Sequence, residues 1–302
     1  MFKDKVVGVL MGGVSAEREI SLATGKAVVS ALKKKGYKVI PIDIAPGVIN
    51  DLNKVDVVFV ALHGPMGEDG YIQGLLEWLE IPYTGPSLSY CSLSMDKELS
   101  KIIFDSAGIN SPKWYKIPLC DIKDSCSFPC VVKPINEGSS VGVSIINNSA
   151  DLDEYIKNNR YKYVIVEEYI KGREINVGII NGEILGEIEI IPQIDSFYSY
   201  KAKYTPGGSK HIVNPELNEE LRKKLRETAI AAHKSIGGSD RETVRVDFIA
   251  KENDVYILEI NALPGLTETS LLPDLAAYQN ITFEDLVEKI LNKASLRRVY
   301  ED

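Results

Sequence analysis

Apolar residues along this chain change their spacing several times, and each change marks a different kind of element. KVVGVLMGG, near the start, is a continuous apolar run closing on a glycine pair, the pattern of a buried strand entering a turn. From Ser15 to Lys35 the run is helical, with Gly36 as its stop. YKVIPID and DVVFVALHG are two more strand-like runs, and a helix is expected over Tyr71 to Glu80. Strands alternating with helices in this way predict a parallel sheet with sites at the carboxyl ends of its strands. IPYTGP ends the rhythm.

Residues 95–107 predict a helix stopping at Gly108. VVKPINEGSSVGVS, residues 131–144, then sets two apolar runs around a polar turn. Glycine and serine suit both a hairpin turn and a phosphate cradle, because they reach unusual backbone angles and bond locally. It is not a Walker A loop, since its lysine precedes the glycine and no Gly-Lys-Ser/Thr follows. A short helix near 149–158 and the strand YVIVEEYI come next. From Gly172 the texture is antiparallel, with Asn181-Gly182 as a strong hairpin turn inside EINVGIINGEILGEIEII. SFYSYKAKYTPGGSKH has no period and predicts a long exposed loop of the kind that forms lids. Asn218 to Ile236 reads as a helix closed by Gly237, and Thr282 to Lys293 as the last helix, capped by Thr282. The chain has no repeats and no low-complexity segments.

The most informative stretch is TVRVDFIAKENDVYILEINALPG, residues 243–265. Alternation puts Arg245 and Asp247 on one face of a strand, and Glu259 and Asn261 on one face of the next. A turn at Glu252-Asn253-Asp254 would set Asp247 opposite Glu259 and Arg245 opposite Asn261. Two facing carboxylates repel. One reading is a solvated polar face on a hairpin. The other is a divalent-cation site, since Asp, Glu and Asn oxygens are the hard ligands that Mg²⁺ prefers. Three details favour the cation. The other face (Val244, Val246, Phe248) is apolar, Ala262-Leu263-Pro264-Gly265 can aim backbone N–H groups at an anion, and no lysine stands on the acidic face. Arg245 beside the pair suits a phosphate or a carbonyl oxygen.

Composition narrows the partners. At 302 residues and 44% hydrophobic, the chain predicts two or three well-packed lobes. A net charge of −8 argues against nucleic acid or a polybasic membrane anchor. No segment reaches the ~20 apolar residues of a membrane span. Met1 opens onto Lys3-Asp4-Lys5 and a strand with no signal peptide, so the cytosol is the expected compartment. Cys91, Cys120, Cys126 and Cys130 fit no common zinc spacing and read as ordinary thiols; His211 and His233 read as surface histidines.

Eight pieces occur in one order across the chain: GGVSAEREISL, ALHGPMGEDGYIQGLLEWLEIPYTG, SMDK, VVKPINEGSSVGVS, VEEYIKGREINVG, FYSYKAKYT, RVDF and EINALPGLTETSLLP. Together they resemble the D-alanine:D-alanine ligases of the ATP-grasp superfamily. That resemblance implies an α/β protein, an ATP-grasp fold preceded by a Rossmann-like parallel sheet. Its lobes would be 1–94 (N-terminal), 95–178 (central ATP-grasp) and 179–302 (C-terminal, with the metal and substrate site). It implies ATP and two Mg²⁺ ions, with Mn²⁺ able to substitute, D-alanine as substrate, and a cytosolic homodimer working in peptidoglycan precursor synthesis. An acyl phosphate would form on the first D-alanine and be attacked by the amine of the second.

The resemblance also assigns residues. Asp247, Glu259 and Asn261 would hold the metal, Lys97 and Lys133 would contact ATP phosphates, and Lys203 the transferred phosphate. Glu167 and the chain at Glu168, Tyr169 and Ile170 would meet adenine, with Glu174 on the ribose. Glu17 would pair the first D-alanine's ammonium, with His63 near its carboxylate. Arg245 and the Gly265 N–H would form an oxyanion hole, and Ser270 and Leu271 would take the second carboxylate. Ser139 and Tyr204 would bond with Glu17, joining loop and lid in one cover. Two departures stand out: Ala262 where threonine is commoner, and KHIVNPEL without the usual Pro-Ala. Lys203-Tyr204 favours D-alanine over D-lactate. A D-serine or D-lactate ligase and a non-catalytic regulator on the same scaffold are the alternatives.

Overall fold

The three apolar runs at the start of the chain form a parallel sheet. In the computed structural model, which describes residues 1–195, 197–205, 207–267 and 270–297, β1 (Val6–Gly12) lies between β2 (Lys38–Ile44) and β3 (Val57–Val60). Helix α1 (Arg18–Lys34) packs on this sheet, followed in sequence by α2 (Ile49–Leu52) and α3 (Tyr71–Trp78). Contact is close because Gly25 of α1 sits against Met11: a Cβ there would lie 2.5 Å from the Met11 Cβ. α1 starts at Arg18 rather than at Ser15. The Ser15 hydroxyl is engaged outside the helix, donating to the His63 carbonyl at 2.8 Å and accepting from the Glu17 N–H at 3.2 Å.

Helix α4 (Leu88–Met95), absent from the sequence reading, is separated from α5 (Lys97–Ser106) by one residue. Asp96 has extended backbone, which stops α4, and its carboxylate accepts from the Leu99 N–H, which caps α5. Next come β4 (Trp114–Pro118), β5 (Cys130–Pro134), β6 (Ser144–Ile146), α6 (Ser149–Asn158) and β7 (Tyr163–Glu168). The four strands make a sheet in the order β4-β7-β5-β6. β5 and β6 are antiparallel, with Val132 opposite Ser144, so the 131–144 segment is a hairpin whose tip spans 135–143. Ser139, Ser140 and Gly142 in that tip have positive φ.

The third sheet, ordered β10-β9-β8-β11-β12, contains β8 (Arg173–Ile180), β9 (Glu183–Pro192), β10 (Ser209–Val213), β11 (Thr243–Lys251) and β12 (Asp254–Asn261). Asn181 and Gly182, both at positive φ, turn β8 into β9 as their sequence predicts. The 196–211 segment, expected as a loop throughout, contains regular structure. It contains helix α7 (Tyr200–Tyr204), capped by the Ser199 side chain, and the start of β10, which pairs with β9. Helix α8 (Glu219–Ser235) covers the sheet, its start capped by Asn218; α9 (Leu271–Tyr278) and α10 (Phe283–Leu291), capped by Thr282, follow.

His233, expected at the surface, is buried at 1% exposure. The chain turns back at Gly238, whose N–H bonds the His233 carbonyl, and the imidazole lies between the Tyr90 hydroxyl at 2.8 Å and the Ser239 carbonyl at 3.0 Å. His211 is also partnered, by Asp274 at 3.1 Å.

Candidate active site

The acidic hairpin has the expected pairing for a different reason. Asp247 faces Glu259 and Arg245 faces Asn261. The turn, however, has two residues, Glu252 and Asn253, with Lys251 opposite Asp254. The register then shifts by one between Asp247 and Phe248, so Leu258 is a bulged residue. The face is not solvated either: Arg245 and Asp247 are buried, and Glu259 is half-buried.

Nor does the pair lack cations. Arg245 grips Asp247 with Nε at 2.7 Å and Nη2 at 2.8 Å, and the Lys97 ammonium comes from α5 to within 3.5 Å of Glu259. The missing lysine therefore does not argue for a metal here. Burial opposes the Glu259 anion, but Lys97, Lys203, Lys133 and Arg245 outweigh it and hold its carboxyl at about 2. Burial likewise opposes the Arg245 charge, and Asp247 overcomes it, raising the guanidinium's pKa.

Two clefts meet at this hairpin. The larger, about 330 Å³, is lined by Glu17, His63, Ser139, Arg245, Asn261, Gly265, Ser270 and Leu271 among others. The smaller, about 120 Å³, is lined by Lys133, Glu167, Glu168, Tyr169, Ile170, Glu174 and Asp247 among others. Lys97, Glu137, Tyr198, Lys203 and Glu259 line both and form the wall between them. Every residue assigned from the resemblance thus borders one cleft or the other, Tyr204 excepted, whose side chain lies outside the described residues.

In the larger cleft Glu17 stands at the start of α1 and accepts a hydrogen bond from the Ser139 hydroxyl. Burial, and then the Glu68 charge, raise the Glu17 carboxyl's pKa; Ser139, His63 and Lys203 act the other way. The His63 ring lies between Thr24 (Nε2 to Oγ1, 3.0 Å) and Glu68 (Nδ1 to Oε1, 3.3 Å). Ser270 is the residue before α9, so the Leu271 N–H belongs to the open first turn of that helix. The Ser270 hydroxyl accepts from the Thr267 N–H at 3.0 Å.

In the smaller cleft Lys97 donates to the Glu137 carbonyl at 2.6 Å, and so anchors the hairpin tip. Lys133 reaches Glu167 at 2.8 Å, and a lysine the sequence reading did not single out, Lys101, reaches the other oxygen at 2.9 Å. Burial raises the Glu174 carboxyl to about 7 against the opposing charge of Lys203. Ser140 donates to the Tyr198 carbonyl at 3.0 Å, joining the hairpin tip to the 195–211 segment. The Lys203 ammonium sits 5.0 Å from the Tyr198 ring centre, a cation–π contact. Tyr198 and Glu68 lie inside the motifs quoted above, but nothing in their spacing separates them from their neighbours. Lys101 carries no sequence signal at all, since one more lysine on an amphipathic helix reads as surface.

The asymmetry of the clefts suits a nucleotide beside a small zwitterion. One has Val131, Ile145 and Ile249 among its lining and three lysines; the other has a buried glutamate and a helix start in its lining. The family models for the D-ala D-ala ligase C-terminus and N-terminus match residues 103–292 and, in two overlapping stretches, 6–50 and 45–86. The chain is 42% identical to the D-alanine–D-alanine ligase of Geobacter sulfurreducens, covering 98% of this chain and 96% of that one. It is 45% identical to that of Anaeromyxobacter sp. strain K, with 97% and 98% covered.

Among solved structures, the D-alanine–D-alanine ligase of Bacillus anthracis complexed with ATP superposes with a TM-score of 0.84 at 33% identity, over 97% of this chain and 98% of that one. The VanG D-Ala:D-Ser ligase of Enterococcus faecalis does so at 0.79 and 26%, over 96% and 99%. The mixed architecture, a parallel sheet followed by antiparallel ones, is the fold of these ligases. Fold, cleft chemistry and near-complete coverage agree: the chain belongs to the D-alanine–D-alanine ligase family.

Proposed function

We propose that this protein joins two D-alanines into D-alanyl-D-alanine, with ATP converted to ADP and phosphate. The observation that carries the reading is the shared wall of Lys97, Glu137, Tyr198, Lys203 and Glu259 between a cleft lined by lysines and apolar side chains and one lined by Glu17, Ser270 and Leu271. ATP occupies the narrow cleft, its base toward Glu167 to Ile170, its ribose at Glu174, and its phosphates toward Lys133, Lys97 and Lys203. The first D-alanine lies in the wide cleft, its ammonium on Glu17 and its carboxylate between His63 and the wall. Glu17 is suited to this, because an incoming ammonium relieves the cost of burying its anion.

The γ-phosphoryl group passes to that carboxylate and ADP leaves. The amine of the second D-alanine, whose own carboxylate rests on Ser270 and the Leu271 N–H, then attacks the acyl carbon. Arg245 and the Gly265 N–H stabilise the oxyanion of the tetrahedral species, and phosphate departs with its bond electrons as the attacking nitrogen gives up a proton, which the departing phosphate can take. Ser139 on Glu17 and Ser140 on Tyr198 hold the cover down, which keeps water from the acyl phosphate. Asp247, Glu259 and Asn261 fit a divalent ion by their hard oxygens and their position at the wall. The Arg245 fork uses one lone pair of each Asp247 oxygen and leaves others open. Mg²⁺ held there, or Mn²⁺ in its place, would neutralise phosphate charge.

We further read the protein as a cytoplasmic homodimer; among the described residues no helix is long and apolar enough to cross a membrane. D-Alanine as second substrate is supported by relatives at 42–45% identity bearing that name, against 26% for the D-Ala:D-Ser enzyme. Purified protein given ATP, Mg²⁺ and D-alanine should release phosphate and dipeptide together. Phosphate release indifferent to D-alanine would refute the assignment.

A further inference from the structure

We propose that Lys101 is a positioning residue of the nucleotide cleft: with Lys133 it clamps the Glu167 carboxylate as a fixed anionic acceptor, so that the cleft selects a base bearing an amino group rather than a carbonyl at its facing edge. The proposal rests on the reading that ATP occupies the narrow cleft. Lys101 is 0% exposed, and a lysine that loses all water needs a charged partner. It lies one turn beyond Lys97 on α5, so the helix sends two ammoniums toward the nucleotide side, one to the hairpin tip and one to Glu167. Glu167 is 2% exposed on β7. Its Oε1 lies 2.9 Å from Lys101 and its Oε2 2.8 Å from Lys133.

One lysine would balance the charge of one glutamate. The second does something else. A carboxylate swings easily about its last torsion. An ammonium on each oxygen removes that freedom and fixes the plane. The carboxylate has about four lone-pair sites, and two ammoniums leave others open toward the cleft that Glu167 lines. Burial works against both charges; for Glu167 the two lysines prevail and its carboxyl stays low, while the Lys101 ammonium is pushed down. An ionised carboxylate accepts only, so it bonds an exocyclic amino group and repels a carbonyl oxygen at the same place. Lys101 does not line the cleft itself and acts through Glu167.

The test compares ATP with inosine triphosphate, which carries a carbonyl in place of adenine's amino group. For Lys101→Met we expect KM for ATP to rise about tenfold, the ATP-over-ITP ratio of kcat/KM to shrink about tenfold, and KM for D-alanine to stay within about twofold. Lys101→Arg, which keeps the charge, should restore much of the ratio. An unchanged ratio in folded Lys101→Met overturns the proposal, even if its Tm falls, because a merely structural lysine lowers Tm without touching base choice. If Lys101→Met does not fold, Glu167→Gln decides: an amide offers both donor and acceptor, so an unaltered ratio again overturns the proposal. A parent protein without D-alanine-dependent phosphate release refutes the ligase reading instead, and the two failures are thereby distinguishable.

Discussion

Glu174→Gln is the substitution whose effect is most directly worked from the structure. Glu174 sits on β8 at the edge of the narrow cleft, and burial raises its carboxyl from 4.5 to about 7 despite Lys203. The folded state therefore binds a proton that the unfolded chain has already released between those pH values. Stability associated with this group is complete below about 4.5 and is lost as pH climbs through about 7. At about 1.4 kcal/mol per pH unit the rise amounts to roughly 3 kcal/mol. This is an upper bound, because Glu174 keeps some contact with water. Glutamine has the shape without the titration. The difference in urea unfolding free energy between Glu174→Gln and the parent, both free of nucleotide and metal, should be small near pH 5. It should grow to as much as ~3 kcal/mol in favour of glutamine near pH 8. Other titrating groups cancel in the difference. Two parallel stability curves, separated by a constant offset, would refute the burial argument.

Glu259→Gln should leave the fold intact and lower kcat by about 10²-fold or more, since it places a neutral amide among four cations and removes a metal ligand from the wall. A steady-state assay over a Mg²⁺ series checks this, and retention of more than about a tenth of the parent rate would remove Glu259 from the metal set. Gly25→Ala gains ~1 kcal/mol of helix propensity, yet its methyl would meet the Met11 Cβ at 2.5 Å. Overpacking of roughly 1–3 kcal/mol should win, so Tm should fall; a rise would mean that α1 shifts freely on the sheet.

How much of this was legible beforehand depends on the reach of each interaction. Strand alternation and the Asn181-Gly182 turn are local, so the hairpins followed from residue order, whereas the facing of Asp247 and Glu259 was reached through a three-residue turn that the chain does not make. The bulge at Leu258 did not, because one extra residue in a strand leaves no mark in an apolar run. Asp96 ends one helix and caps the next through a single side chain, and a helix-period scan passes over it. His233 looks exposed until Gly238 folds the chain back over it. Lys101 on α5 and Glu167 on β7 meet across 66 positions of sequence, which only the folded chain brings together.

The bulge has a consequence for what a strand can present. In an unbroken strand, neighbouring side chains point to opposite faces. At the bulge, Leu258 and Glu259 both oppose Asp247, and both line the narrow cleft. Leucine thus lends a greasy floor, continuous with Ile249, within one residue of the glutamate at the phosphate end. Straightening the strand by deleting Leu258 would keep Glu259 across from Asp247, because the regular ladder from the two-residue turn arrives at the same partner. The floor and the charge therefore depend on chain length differently: removing one residue takes away the leucine while the glutamate keeps its partner.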